Sequence, residues 1–260
     1  MSNWESKEAI TNSFEFNVAL GRYVGYITRW DVFAKSESLS STLQDVWTLD
    51  HDLTYTTVGE VLFIKSSSAS DTSIYASIEG LDEDGYFQTA EVLLNGKTAV
   101  GIPKFWLRIL RVRPTNGITN LGAWTIATVT GTPAETEIRG HVIAGTSTQS
   151  GSSYMSHFTV PKGYIALLQN YTTSQVGNSD IDFIALARVQ DGSFIPRDAV
   201  NGDSNRNFDM RILGELTDFK VMAKASSSLN RDVPVSYYFY LVRKELANFD
   251  GIRIMGKGDM

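Results

Sequence analysis

SSSASDTSIYASIEGLDEDGYFQTAEVLLNGKTAV, residues 66–100, holds the pattern that decides the fold class. Apolar and polar residues alternate over residues 74–79 and again over residues 87–93, as they do in a β-strand with one buried face. The acidic tetrad at residues 82–85 lies between the two runs. Aspartate favours turn entry and glycine tolerates positive φ, so the stretch predicts two antiparallel strands joined by a tight turn.

The same tetrad partly matches a calcium-binding EF-hand loop. An EF-hand loop needs oxygen ligands at positions one, three and five, glycine at six and glutamate at twelve. With Gly85 at position six, position one falls on Gly80, which has no side-chain oxygen. The flanking residues alternate as strands rather than helices. We therefore predict a hairpin turn and no metal site at the tetrad.

The next turn signal is the pair Asn95-Gly96. A type I′ turn needs positive φ at both central residues, and Asn-Gly tolerates this best. We expect such a turn here, joining residues 91–94 to residues 98–100 as the third strand of a meander.

Short β-branched and aromatic runs bounded by Gly, Asn, Asp or Pro recur along most of the chain, as in VLFI, FWLRI, YIALL and IDFIA. Strands at this spacing predict an all-β protein with two antiparallel β-sandwich, jelly-roll-like domains in tandem. Helical signals are few. Ser41 and Gln44 could form a capping box that opens one helical turn over residues 41–47, and the first dozen residues could hold another.

The predicted domain boundary is the stretch rich in Gly, Thr and Ser at residues 128–153. It gives an N-terminal arm with short helical turns at residues 1–47, a first sandwich at 48–130 and a linker at 131–153. A second sandwich at 154–246 and a C-terminal arm at 247–260 complete the predicted organisation.

Composition limits the classes of partner. The net charge of -6 favours neither nucleic acid nor an anionic membrane. The chain has no cysteine, which excludes disulfides, Cys-ligated zinc and thiol catalysis. The start MSNWESKEAI lacks a secretory signal pattern, and no segment reaches the length of a membrane helix, so we expect synthesis in the cytoplasm.

No catalytic, cofactor-binding or metal residues are predicted. His51 lies between two aspartates, as in a solvated turn, and His157 is expected at the rim of a strand; with His141 they form no recognisable pattern. There is no G-x-S-x-G elbow and no phosphate-binding glycine loop. Paired carboxylates for glycoside hydrolysis stay open, but nothing singles out a pair. We therefore expect a protein that is not an enzyme.

The run Tyr237-Tyr238-Phe239-Tyr240 crowds one late strand, in which alternate rings must point to opposite faces. One face is expected in the core. The face with Tyr238 and Tyr240 is a candidate interface, or alternatively a platform for sugars.

The end of the chain, ANFDGIRIMGKGDM, has more apolar residues than a free solvated tail would have; these are Phe249, Ile252, Ile254 and Met255. Ile252 and Ile254 alternate with Arg253, as in a strand. We predict an assembly arm that adds to a sheet edge of a neighbouring subunit. The alternative, a tail folded back on its own domain, stays open.

Several ordered motifs resemble a family of virion structural proteins of tailed bacteriophages, common in environmental and marine phages. They span residues 21–242 and are LGRYVGYITRWDVFAKSESL, LQDVWTLDHDLTYTT, VLFIKSSSASDT, IEGLDEDGYFQTAEVLLNGKTAV, FWLRILRVRPTNGITNLGAWTIAT, FTVPKGYIALL and VPVSYYFYLV. The resemblance implies a virion component without catalytic residues.

From this resemblance we expect a subunit located in the virion, binding other virion proteins as a capsid decoration or accessory subunit. A homo-oligomer is expected, and a trimer is the guess. A tail, neck or baseplate component is the first alternative. A carbohydrate- or receptor-binding module is the second, with a host-surface glycan as partner.

Overall fold

The computed structural model describes residues 27–115, 118–146, 153–174, 180–190, 192–202, 204–227 and 232–247. These residues form antiparallel sheets, with a 3₁₀ turn at Glu135–Glu137 and a short helix, α1, at Lys244–Ala247. The predicted all-β class is confirmed. The residues Phe249, Ile252, Ile254 and Met255 of the predicted arm lie outside the described ranges.

The strands found in the described residues, in chain order, are β1 (Ile27–Ser36), β2 (Gln44–Asp45), β3 (Phe63–Ser66), β4 (Tyr75–Leu81), β5 (Phe87–Leu93), β6 (Val100–Gly101), β7 (Arg108–Pro114), β8 (Trp124–Ala127), β9 (Ile138–Val142), β10 (His157–Thr159), β11 (Tyr164–Thr173), β12 (Ile181–Val189), β13 (Ile195–Asn201), β14 (Ser204–Leu213), β15 (Thr217–Ala225) and β16 (Val233–Arg243).

The strands pair into four sheets. Sheet 1 has the order β1-β16-β11-β14, and sheet 2 has the order β10-β15-β12-β13, with β2 also on β15. Sheet 3 has the order β6-β3-β8-β9, and sheet 4 the order β5-β4-β7. Sheets 1 and 2 enclose one apolar core, which includes Phe158, Phe183, Phe219 and Phe239. Sheets 3 and 4 enclose a second core around three buried tryptophans, Trp47, Trp106 and Trp124.

The pairing of β1 with β16 corrects two sequence-based expectations. The sequence pattern places residues 27–36 in a predicted N-terminal arm, yet they form an edge strand with Ile27 opposite Val242 and Ser36 opposite Val233. Sheet 1 therefore joins both ends of the described chain, and the core of sheets 3 and 4 comes from the residues in between. This departs from a simple tandem order. The strand pairs because Trp30, Val32 and Ala34 face the core while Arg29 and Asp31 face outward.

The predicted linker at residues 131–153 also contains regular structure. Its middle forms β9, which pairs with β8 and brings Val142 opposite Trp124. Val142 is fully buried, and this burial explains why a stretch flanked by Gly and Thr is ordered. The division into domains otherwise stays a prediction.

The acidic tetrad forms the predicted turn of a hairpin. The Asp82 Oδ1 atom accepts hydrogen bonds from the backbone N–H groups of Asp84 (3.1 Å) and Tyr86 (2.8 Å), and Gly85 has φ +86°. The second turn differs from the prediction. Gly96 has φ +55°, but Asn95 is not in the left-handed region, so the turn is not type I′. It joins β5 of sheet 4 to β6 of sheet 3, which excludes the meander.

The helical turn predicted at residues 41–47 is wrong. Gln44 and Asp45 form β2, which pairs with Met222 and Ala223 of β15. The Gln44 side chain does accept the backbone N–H of a serine, as in a capping box, but the serine is Ser40 and no helix follows. Pairing with β15 overrides this local signal because it buries both residues of β2.

Candidate functional site

The two tyrosines of the predicted interface lie on the outer face of sheet 1. Tyr237 and Phe239 point into the core, so the predicted alternation along β16 is confirmed. Tyr240 is only 6% exposed, in a small apolar cluster on this face. Tyr238 is half-buried, and the Arg29 guanidinium lies 4.1 Å from its ring centre. Neither ring presents an open platform.

The most concentrated set of charges is buried where the two cores meet, and we call it the charged junction: Asp45, Tyr55, Arg108, His157, Thr159, Arg188, Asp218 and Lys220. Arg108 at the start of β7 forms a two-pronged pair with Asp218 of β15, with both N···O distances 3.2 Å. Thr159 (2.5 Å) and Arg188 (2.9 Å) donate to the same carboxylate. Asp218 is fully buried, and its four bonds link strands of sheets 2 and 4.

Electrostatics explain why Asp218 stays ionised there. Burial alone raises the pKa of a carboxyl group. For Asp218 the positive charge of Arg108, with hydrogen bonds from Arg108, Thr159 and Arg188, outweighs burial and lowers the pKa below its ordinary value. The carboxylate is therefore charged at neutral pH and binds the two guanidinium groups.

A second pair extends the charged junction. Lys220 lies 2.6 Å from Asp45, and both are buried. Burial raises the pKa of Asp45 above its ordinary value, even though Lys220 opposes the shift. The cations also contact aromatic faces, with Arg188 4.6 Å from the centre of the Tyr55 ring.

His157 is part of this junction, which corrects its expected place at a strand rim. It is 4% exposed, and its Nε2 atom lies 2.7 Å from the carbonyl oxygen of Ile109. Burial lowers the pKa of His157 to about 4, so the imidazole is neutral at physiological pH. A neutral ring then donates its Nε2 proton to that carbonyl.

The space beside the charged junction is too small for a substrate. The cavity lined by Tyr55, Arg108 and His157 has a volume of about 10 Å³. This is roughly the space that one water molecule requires. The buried charges therefore hold sheets together, and their arrangement gives no room for chemistry on a bound molecule.

A larger open space lies between the edge strands β1 and β7, and we call it the edge groove. Its volume is about 380 Å³, and residues 153–155 form part of its wall. Phe33 is 50% exposed and meets the Tyr154 ring edge-on, with ring centres 5.5 Å apart. Arg111 lies over the Trp30 ring at 4.2 Å. The groove thus combines aromatic rings with exposed charge.

The outer edge of β1 lies along the edge groove and is partly covered by an arginine side chain. Arg111 Nη2 donates to the carbonyl oxygen of Asp31 over 2.7 Å, so this carbonyl points away from β16. Backbone groups alternate sides in an antiparallel pair, so those of Arg29 and Phe33 share the outward side. Among the described residues no strand pairs with β1 on that side. An extended peptide could therefore add there.

Sequence reasoning missed both the charged junction and the edge groove. A signal for the groove was present, since ITRWDVFAKS alternates as a strand does. The charged junction had no such signal, because Arg108 and Asp218 are brought together only by the pairing of distant strands.

No protein family and no curated protein matches this sequence. Among solved structures, the chain is similar to the structure of the infectious bursal disease virus Gt strain. The sequence identity is 12% and the TM-score is 0.23, and the match covers 87% of this chain and 74% of that chain. It is also similar to the infectious bursal disease virus VP2 subviral particle, with 9% identity, a TM-score of 0.23, and coverage of 88% and 74%. At these TM-scores the likeness supports no argument.

The fold and the surface define an antiparallel β-sheet protein in which the edge strand β1 lies beside a groove. No helix in the described ranges is long and apolar enough to cross a membrane.

Proposed function

We propose that this protein is a non-enzymatic structural subunit of a tailed-phage virion, bound to the head lattice as an accessory or decoration subunit. The resemblance of the ordered motifs to those of phage virion proteins supports the class. The observation on which the proposal depends is the open edge of β1 beside the edge groove, because a structural subunit needs a surface that other chains can extend.

The proposed occupant of the edge groove is the segment of residues 248–260 from a neighbouring copy. Ile252 and Ile254 alternate with Arg253, so an added strand would place both isoleucines on one face. The segment follows β16, whose last residues pair with the first residues of β1. In a symmetric assembly each copy would both donate a segment and accept one, and many such contacts would act together on a lattice.

Two variants test this occupant by sedimentation analysis of self-association. The first ends the chain after Ala247. The second, Phe33→Pro, removes a backbone donor from the open edge, where proline is tolerated because that N–H does not face β16. We expect the full chain to self-associate and both variants to be folded monomers. Val32→Pro is the matched control, since it removes a donor facing β16 and should lower stability instead.

Three results would contradict the assembly contact. A full chain that stays monomeric would remove it, and so would a truncated chain that still self-associates. A truncated monomer that melts well below the full chain would show that the segment packs on its own sheets.

Location in the particle needs a separate test. Gold-labelled antibodies against the protein should bind the heads of purified virions. Labelling of tails or baseplates would favour the alternative of a tail component. Intact and disrupted virions that both lack the protein would exclude a virion role.

Glycan binding is the second candidate function, favoured by the rings of Phe33 and Tyr154 in the edge groove. Trp30 lies in the same groove, so its fluorescence should change when a sugar binds there. A titration of tryptophan fluorescence against polysaccharides should show a saturable change that Phe33→Ala removes. A flat response at millimolar sugar would exclude this function.

A further inference from the structure

Three potential metal ligands from two distant segments meet near the surface. Asp50, His51 and Glu135 each offer one ligand atom, and these atoms lie within 4.8 Å of one another. Asp50 and His51 belong to the loop after β2, and Glu135 begins the 3₁₀ turn before β9. We call these three residues the Asp-His-Glu cluster.

The histidine is held in place by a buried tryptophan. The Trp47 Nε1 atom donates to the backbone carbonyl of His51 over 2.5 Å, and the two rings meet edge-on with centres 5.0 Å apart. Trp47 itself is fully buried in the core between sheets 3 and 4. The hydrogen bond therefore holds the backbone of His51, and the Trp47 ring packs against its imidazole.

The glutamate is also held by its local structure. The backbone N–H of Glu137 donates to the carbonyl of Ala134 (2.9 Å), and the Glu137 carboxylate accepts the N–H of Ala134 (2.7 Å). This reciprocal pair fixes the turn and uses the carboxylate of Glu137, whereas that of Glu135 is left facing Asp50 and His51.

Among the residues that the structure describes, none of the three side chains has a hydrogen-bond or ion-pair partner that explains this arrangement. The Nε2 atom of His51 is buried and makes no hydrogen bond to this part of the chain. Within the described ranges, no ion pair involves Asp50 or Glu135, although eleven other ion pairs are present there. Two carboxylates held close together repel each other unless a cation lies between them. A buried ring nitrogen without a partner is likewise unfavourable.

We propose that Asp50, His51 and Glu135 bind a divalent transition-metal ion, such as Zn²⁺ or Mn²⁺. One imidazole and two carboxylates form a mixed nitrogen and oxygen set, which suits these ions. Ca²⁺ and Mg²⁺ prefer sites built from oxygen alone. Water would complete the coordination. The ion would connect the loop after β2 to the turn before β9, and would stabilise the fold in proportion to its occupancy. This site does not depend on the proposed virion role.

Isothermal titration of chelator-treated full-length protein with ZnCl₂ and MnCl₂ tests the site, together with melting curves with and without each metal. Binding of at least one of the two ions with one-to-one stoichiometry is expected, with a higher melting temperature. Glu135→Gln and His51→Gln should each weaken binding on the order of tenfold or more. Glu83→Gln, which removes an exposed carboxylate from the hairpin turn, is the matched control and should bind as the parent does.

Circular dichroism of each variant without metal verifies that it is folded, since Glu135 is exposed and its change to Gln preserves shape. The proposal is overturned if neither ion binds in the micromolar range. It is equally overturned if Glu135→Gln and Glu83→Gln bind alike, because the ion then sits elsewhere. Preference for Ca²⁺ or Mg²⁺ over both transition metals would contradict the mixed ligand set.

Discussion

Strand β7 contributes arginines to two regions with opposite properties. Arg108 enters the charged junction with its side chain 6% exposed, against an Asp218 side chain that is 1% exposed. Arg113 faces outward at the edge groove with 53% exposure, paired to Glu79 over 3.2 Å. Both pairs have similar distances, but water solvates only the second. A buried ion pair constrains the sheets around it, whereas an exposed pair leaves its charges available to another molecule.

The largest expected effect is the loss of the junction carboxylate. Asp218→Asn keeps the shape of the side chain but leaves Arg108 and Arg188 buried without a counter-charge. Removing one partner of a buried pair costs about 3–5 kcal/mol. Urea unfolding should show this loss for Asp218→Asn and a smaller loss for Glu79→Gln, because the partner Arg113 is 53% exposed and Glu79 is only partly buried. Equal losses in the two variants would refute the contrast between the two regions.

The second expected effect is a dependence of stability on pH that arises from His157. Its pKa in the folded protein is about 4, below the ordinary value of 6.5, because burial disfavours the charged ring. The unfolded chain therefore takes up the proton first as the pH falls. The contribution of His157 to stability should be constant above about pH 6.5 and should decline between about pH 6.5 and pH 4, by about 3 kcal/mol.

The control for that titration is His157→Gln, whose side-chain amide can still donate to the carbonyl of Ile109. The difference in unfolding free energy between the parent and this variant isolates His157 from other titrating groups. If both proteins lose stability equally between pH 6.5 and 4, the buried imidazole is not the cause.

The smallest expected effect lies in the edge groove. Arg113→Gln removes one of the two arginines on Glu79, while Arg111 keeps its contact over 3.3 Å. An exposed pair contributes about 0–1 kcal/mol, and salt screens it. The urea midpoint should therefore shift little, and less at high salt than at low salt. A loss of unfolding free energy above about 1 kcal/mol that does not depend on salt would show that the groove charges behave like the charged junction.

Local patterns were the reliable part of the sequence analysis. The hairpin at Asp82 and Gly85 was predictable because the chemistry of a tight turn lies within a few residues. The alternation of Tyr237 and Phe239 against Tyr238 and Tyr240 was predictable for the same reason, since a strand has a period of two. The all-β class follows from many such local patterns acting together.

Long-range pairing was the part that local patterns could not supply. The alternation in β1 is present in the sequence, but the sequence near β1 gives no sign of its partner strand, which lies near the other end of the described chain. The local pattern therefore predicts an arm. The Asp-His-Glu cluster is similar. His51 was interpreted as part of a solvated turn, and nothing near it in sequence indicates that Glu135 lies beside it in space.

The Asn95-Gly96 turn shows a third reason for failure. The pair does form a turn, but only Gly96 has a positive φ, and Gly96 is also held by other segments. Its backbone N–H donates to the carbonyl of Asp71, and its carbonyl accepts from Ser66. A Cβ atom on Gly96 would lie 2.6 Å from the carbonyl oxygen of Ala69. Tertiary contacts thus selected a turn that the dipeptide alone does not specify.

The union of β1 with β16 has a consequence for the order of events on the ribosome. β1 leaves the exit tunnel long before β16, its neighbour in sheet 1. The segments around Trp106 and Trp124 can condense meanwhile, since the described strands of sheets 3 and 4 all lie between β1 and β16 in the chain. Until β16 has been synthesised, β1 lacks this partner strand, a condition that favours association with other nascent chains. Closure of sheet 1 is therefore expected to be the slow, late step of maturation.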